Sequence, residues 1–180
     1  MRVTGAPRQS TTSGRRGSGT SAGTELAGKP PTEIADRIAI QDVITRYATA
    51  LDQRDWDLLS QVFTSDAVVS YGGSGPATPD ATFRGPSRVA ANCARSLARY
   101  SATQHLLGNS VIATAGDRAE ASTYVQATHI ALHAAWSEIR TLGGTYHDDL
   151  ARTGQKWRIR RRWLEITWEE IRSLGPGVPR

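Results

Sequence analysis

The chain has 180 residues, one cysteine and a formal net charge of +5 at neutral pH with histidine uncharged. Five basic residues and one acidic residue fall within the first 30 positions, leaving 17 basic and 16 acidic residues over the other 150. A body so nearly balanced argues against nucleic-acid binding, which needs a basic face on the fold itself, and the lone Cys93 excludes an intrachain disulfide and a cysteine-rich zinc cluster.

Residues 1–30 are rich in Gly, Ser, Thr and Arg and carry almost no large apolar side chains, so they are expected to form a disordered basic tail. The tail has no apolar run of the kind a secretory signal contains, and no stretch of the chain reaches the roughly 18 apolar residues of a membrane span. A cytoplasmic protein with no membrane partner is the expectation. A helix starts at Thr32, a capping residue, and Ile34, Ile38, Val43, Ile44, Tyr47, Ala48 and Leu51 recur at helical spacing. Residues 55–63 suggest a second short helix with Trp56, Leu59 and Phe63 inward. Ala67–Tyr71 suggests a strand, residues 72–81 a Gly/Pro-rich loop, and residues 86–100 a third helix, with Cys93 as a small residue near the core.

From residue 104 onward the pattern is extended. Segments 104–114 and 119–132 flank a turn at Ala115-Gly116-Asp117, and segments 139–150 and 156–168 flank another at Arg152-Thr153-Gly154. Helices followed by long antiparallel strands predict an α+β fold with the helices on one face of a curved sheet. One domain is expected over residues 31–172, with 173–180 a loose end.

Strand parity selects the candidate site. His105, Leu107, Asn109 and Val111 share one face, as do Ala119, Ala121, Thr123, Val125, Ala127 and His129. Two histidines from neighbouring strands thus face one cavity walled by small residues. His129 and His133 are no metal pair, because four residues of strand separate them by about 13 Å. Asp52 ends the first helix, where a negative charge opposes the dipole. Tyr47 lies five residues earlier, about 140° around the helix, and so off the face of Asp52. Arg162 shares parity with Leu164, Ile166 and Trp168 and either points into the cavity or belongs to a solvated strand.

Several of these segments resemble the SnoaL-like domains of the nuclear-transport-factor-like superfamily. They are Leu51-Asp52-Gln53-Arg54-Asp55-Trp56, residues 63–71, Thr103-Gln104-His105-Leu106-Leu107-Gly108-Asn109, and the final strand from Trp157 to Trp168. The resemblance implies a cone-shaped, barrel-like fold and a homodimer or homotrimer. It also implies a cofactor-independent, metal-free acid–base enzyme acting on a small, largely apolar carbonyl or hydroxyl compound: a dehydratase, or a related cyclase or isomerase. The site is similar to that of the scytalone dehydratases. By that likeness Asp52, His105, His129 and Tyr71 are catalytic, and His147 and Asp149 fall where that pattern has Ser and Asn. Likeness to the bile-acid dehydratases adds Tyr47 and Arg162, and Asn109 completes the expected substrate-binding set. A small subunit of a ring-hydroxylating dioxygenase and a non-catalytic binding or dimerising module remain alternatives at this point.

Overall fold

The computed structural model describes residues 31–72 and 82–175. The expected tail, most of the 72–81 loop and the last five residues lie outside that range. Helix α1 (Pro31–Gln53) buries Ile40, Val43, Ile44, Tyr47, Ala50 and Leu51, a stripe at the helical repeat. Ile34 and Ile38 were expected in this stripe, but they are exposed, and Ile40 takes the inward position instead. The early turns present a different face to the sheet. There Asp36 accepts hydrogen bonds from Arg152 and from the Trp157 indole, which fixes that end of the helix through polar contacts.

α1 ends in a tight reversal. Arg54 adopts φ 59°, its N–H donates to the Leu51 carbonyl, and the Asp55 N–H reaches back to Ala50. This is the two-bond C-terminal closure usually built on glycine. Arg54 secures the conformation with its own side chain, donating to the Leu51 carbonyl and to Thr103 Oγ1. Asp55 then caps α2 (Trp56–Gln61) by accepting from the Leu58 N–H. Helix α3 (Pro86–Leu97) begins with proline in its first turn and buries Val89, Ala90, Cys93 and Leu97.

Six strands complete the fold: β1 (Phe63–Tyr71), β2 (Thr82–Arg84), β3 (Ala102–Ala115), β4 (Arg118–Leu132), β5 (Ser137–Thr153) and β6 (Lys156–Leu174). They form one sheet in the order β2-β1-β6-β5-β4-β3. Every pairing is antiparallel except β1 with β6. Gly116 and Gly154 take φ near +60° at the two tight turns, where only glycine is unstrained. β6 runs six residues past the expected end at Trp168, because β5 begins early enough to pair Ser137 with Leu174. The helices pack on the concave face, and the core lies between them and the inward residues of β1 and β3–β6.

Bulges bend the long strands. Between Leu107 and Ser110 β3 carries one residue more than its partner β4, so the inward parity shifts there. Gly143 and Gly144 mark a second irregularity, opposite Trp168 and Ile166. A Cβ on Gly143 would lie 2.2 Å from the Trp168 indole, and one on Gly144 would lie 2.1 Å from the Glu165 carbonyl oxygen. Both glycines allow β6 to cross β5 closely where the sheet curves.

Candidate active site

The end of α1 and the start of β3 meet at Asp52. Its carboxylate accepts from Thr103 Oγ1 at 3.0 Å, from the His105 backbone N–H at 2.8 Å, and stands 2.7 Å from His105 Nδ1. Thr103 Oγ1 in turn accepts from Arg54 at 2.8 Å. These donors offset the unfavourable place of a negative charge at a helix C-terminus. Burial works to raise the Asp52 pKa, but the hydrogen bonds from the His105 ring, the His105 backbone and Thr103 outweigh it and leave the carboxyl below its usual range. A carboxylate on Nδ1 fixes the proton there in the neutral ring and leaves Nε2 as the basic nitrogen.

His105 lines a cavity of about 280 Å³ between the helices and the concave sheet. The wall also includes Tyr47, Tyr71, Cys93, His129, Arg140 and Tyr146, among mostly apolar neighbours such as Leu51, Leu142 and Ile166. His129 faces Thr103 across the β3–β4 ladder, and its ring lies 5.8 Å from that of His105, centroid to centroid, at a steep angle. Tyr100 packs on it from the other side at 4.8 Å. Burial first, and then the charge of His105, lowers the His129 pKa to about 4, so this histidine is neutral at physiological pH. Its Nδ1 has no hydrogen-bond partner among the described residues.

Tyr47 and Tyr71 share a hydrogen bond at 3.0 Å, and the Tyr71 hydroxyl also lies 3.2 Å from Cys93 Sγ. Burial raises the pKa of all three, so they stay protonated and able to donate. Tyr47 and Asp52 need not share a helix face. Tyr47 forms part of the wall directly, whereas Asp52 stands behind His105.

The structure therefore brings Asp52, His105, His129, Tyr71 and Tyr47 to one place. It does not bring Asn109, His147, Asp149 or Arg162 there. Asn109 lies in the β3 bulge and is exposed, while Ser110 takes the inward position and bonds Thr123 Oγ1 at 2.8 Å. His147 and Asp149 lie on the outer face, because Tyr146, Asp148 and Leu150 set the inward parity of β5. His147 stacks on Trp163 and bonds Glu165 at 2.9 Å there. Arg162 does point inward, but its guanidinium makes two hydrogen bonds to Asp148, at 2.7 and 2.6 Å. It is held between the rings of Tyr47 and Tyr146, 4.0 and 4.1 Å from their centroids. It thus supports the tyrosines from behind and does not form part of the cavity wall.

Arg140 and Thr103 were not singled out from the sequence. Arg140 sits directly opposite His129 on β5, a position that follows once the short β4–β5 connection is counted. Thr103 lies two residues before His105 and so on its face. Among the described residues, no three His, Cys, Asp or Glu side chains group closely enough to hold a metal ion, and no helix is long and apolar enough to cross a membrane.

The family model of the SnoaL-like domain matches residues 32–163. The uncharacterized protein Mb2934c of Mycobacterium bovis is 32% identical over 133 residues, covering 72% of this chain and 84% of that protein. A candidate scytalone dehydratase from Novosphingobium aromaticivorans superimposes with a TM-score of 0.66 at 23% identity, over 83% of this chain and 98% of the other. The hexachlorocyclohexane dehydrochlorinase LinA-type3 of Novosphingobium barchaimii gives 0.67 at 18% identity, over 82% and 97%. At these identities the two solved structures establish a shared fold.

Proposed function

Since the chain belongs to the SnoaL-like family, we propose that its cavity is the active site of a cofactor-independent lyase, a dehydratase acting on a small, largely apolar carbonyl compound. The observation that carries this reading is the 2.7 Å contact between Asp52 and His105 Nδ1 on the wall of a cavity that His129 also lines. Two structural neighbours whose names denote elimination enzymes, the candidate scytalone dehydratase and the dehydrochlorinase, support it.

His105 Nε2 takes the proton from the carbon next to the carbonyl, and the C–H electron pair becomes the enolate. Asp52 holds the ring in the productive tautomer and stabilises the imidazolium as it forms. Tyr71, which keeps its proton, is placed to hydrogen-bond the developing oxyanion, directly or through a water, and neutral His129 beside it adds no competing charge. The enolate then collapses to a C=C bond as the β-hydroxyl departs, and the imidazolium returns its proton to that hydroxyl, releasing water. An enolate is also the first intermediate of aldol cyclisation and of isomerisation, so the same residues serve a related cyclase or isomerase.

Deuterium exchange tests the shared first step. The enzyme is incubated in D₂O with a panel of small apolar ketones and β-hydroxy ketones, and NMR reads deuterium at the α-carbon. Wild type is expected to catalyse exchange, and His105→Ala to lower the rate by about 10²–10⁴. Exchange at the wild-type rate in His105→Ala would remove the proposal.

A further inference from the structure

The charge on the cavity wall is one-sided. Among the described residues that line it there is no carboxylate, since Asp52 lies behind His105, and Arg140 is the one side chain with a permanent charge. Arg140 sits across the ladder from His129. Its hydrogen bonds to described residues use Nε, to Glu169, and Nη1, to the Tyr100 hydroxyl at 3.4 Å. The same phenol oxygen also accepts from Arg99, whose guanidinium lies 4.7 Å from the centre of the Tyr100 ring. A third guanidinium, that of Arg54, reaches the Tyr100 backbone carbonyl at 3.4 Å.

Three guanidinium groups thus gather around one tyrosine. Of the three, Arg140 pairs with a carboxylate, that of Glu169, and the Asp52 carboxylate is committed to His105 and Thr103. The Arg140–Glu169 pair is about one-third exposed on each side, so water screens it and the pair is easily exchanged for another anion. Two cations converging on one neutral oxygen repel each other, and a carboxylate delivered from the cavity relieves that repulsion. Guanidinium suits the task because its planar fork matches the two oxygens of a carboxylate.

We propose that Arg140 makes this end of the cavity a carboxylate subsite, so that the substrate is a small apolar acid bound as its anion. Calling the occupant a substrate rests on the lyase reading; the subsite itself does not. The carboxylate anchors one end of the molecule beside His129, and the apolar body lies along Leu142 and Ile166. A keto acid fits this pattern, its carbonyl further along the molecule and the carbon next to that carbonyl within reach of His105.

Calorimetric titration with two probes of one shape, 3-phenylpropanoate and 3-phenylpropanamide, tests the subsite. Wild type is expected to bind the acid about tenfold more tightly than the amide, the scale of one modest charge-assisted contact. Arg140→Gln removes that preference. Glu169→Gln, at an exposed position outside the cavity, tightens the acid and leaves the amide unchanged. The proposal is overturned by equal affinities, by no binding of the acid at millimolar concentration, by a preference that survives in Arg140→Gln, or by a Glu169→Gln protein that binds the acid no better. The preference should persist in His105→Ala. If wild type shows no α-carbon exchange while the acid preference stands, the catalytic reading fails and the subsite remains.

Discussion

His129 shows how burial turns an ordinary titrating residue into a fixed dipole. Its surroundings hold the folded-state pKa near 4, while an unfolded chain gives histidine about 6.5. Below pH 6.5 the unfolded chain therefore binds a proton that the folded protein refuses, so stability is complete above 6.5 and falls as pH drops towards 4. The difference corresponds to about 3 kcal/mol at the bottom of that window. Urea denaturation at pH 7 and pH 4.5 should show a steeper loss for wild type than for His129→Gln, which has no proton to gain. Parallel losses in the two proteins would show that His129 is free to titrate when folded. Asp52 shifts in the same direction, but it matters only at lower pH, where carboxyls protonate. Within the proposed reaction the consequence is a division of labour. His105, held by a carboxylate, exchanges protons, and His129, kept neutral, borders the reacting centre without adding a charge.

At the level of strands and helices, the glycine pair on β5 carries a testable cost. A Cβ on Gly144 meets backbone, the Glu165 carbonyl oxygen, which has no rotamer to escape into, whereas a Cβ on Gly143 meets the half-exposed Trp168 side chain, which can turn aside. Gly144→Ala is expected to lose about 1–3 kcal/mol, the usual range for overpacking, and Gly143→Ala less. Equilibrium denaturation of both variants gives the order directly, and a reversed order would mean that Trp168 is the more rigid neighbour. Bulges also mark where the sequence ceased to be legible. The alternation that placed His105 and His129 on one face is local and survives. The same alternation carried to Asn109 fails, because an extra residue lies between Leu107 and Ser110; Gly108, a glycine within a strand, was the signal that could have marked this bulge. His147 and Asp149 failed for another reason. They were placed by family likeness, although Tyr146 and Leu150 face inward and strand alternation then puts positions 147 and 149 outside. The helix stripe was correct from Val43 to Leu51 and wrong at Ile34 and Ile38, where polar contacts of Asp36, not apolar burial, orient the helix.

For the molecule as a whole, β6 is the strand on which closure depends. It lies between β1 and β5, buries Trp157, Ile159 and Leu164, and supplies Arg162 to the fully buried pair with Asp148. A chain ended at Gly154 leaves Asp148 without its cation and uncovers the neighbouring strands. It should show no cooperative thermal transition by circular dichroism, because an unpaired buried charge adds several kcal/mol to the lost core. A sharp melt of that fragment would show that the remaining strands fold without their centre. The position of this strand also bears on how the protein is made. Phe63 pairs in parallel with Ile159, so β1 has no partner on that side until β6, some 96 residues later, has been translated. At a synthesis rate of about 5–20 residues per second, that wait is roughly 5–20 s. During it the apolar face of α1, and then the inner faces of β3 and β4 as they are made, lack the strand that seals them. Closure of the core thus waits on β6, and until that strand docks between β1 and β5 the apolar surfaces made before it stay open to solvent.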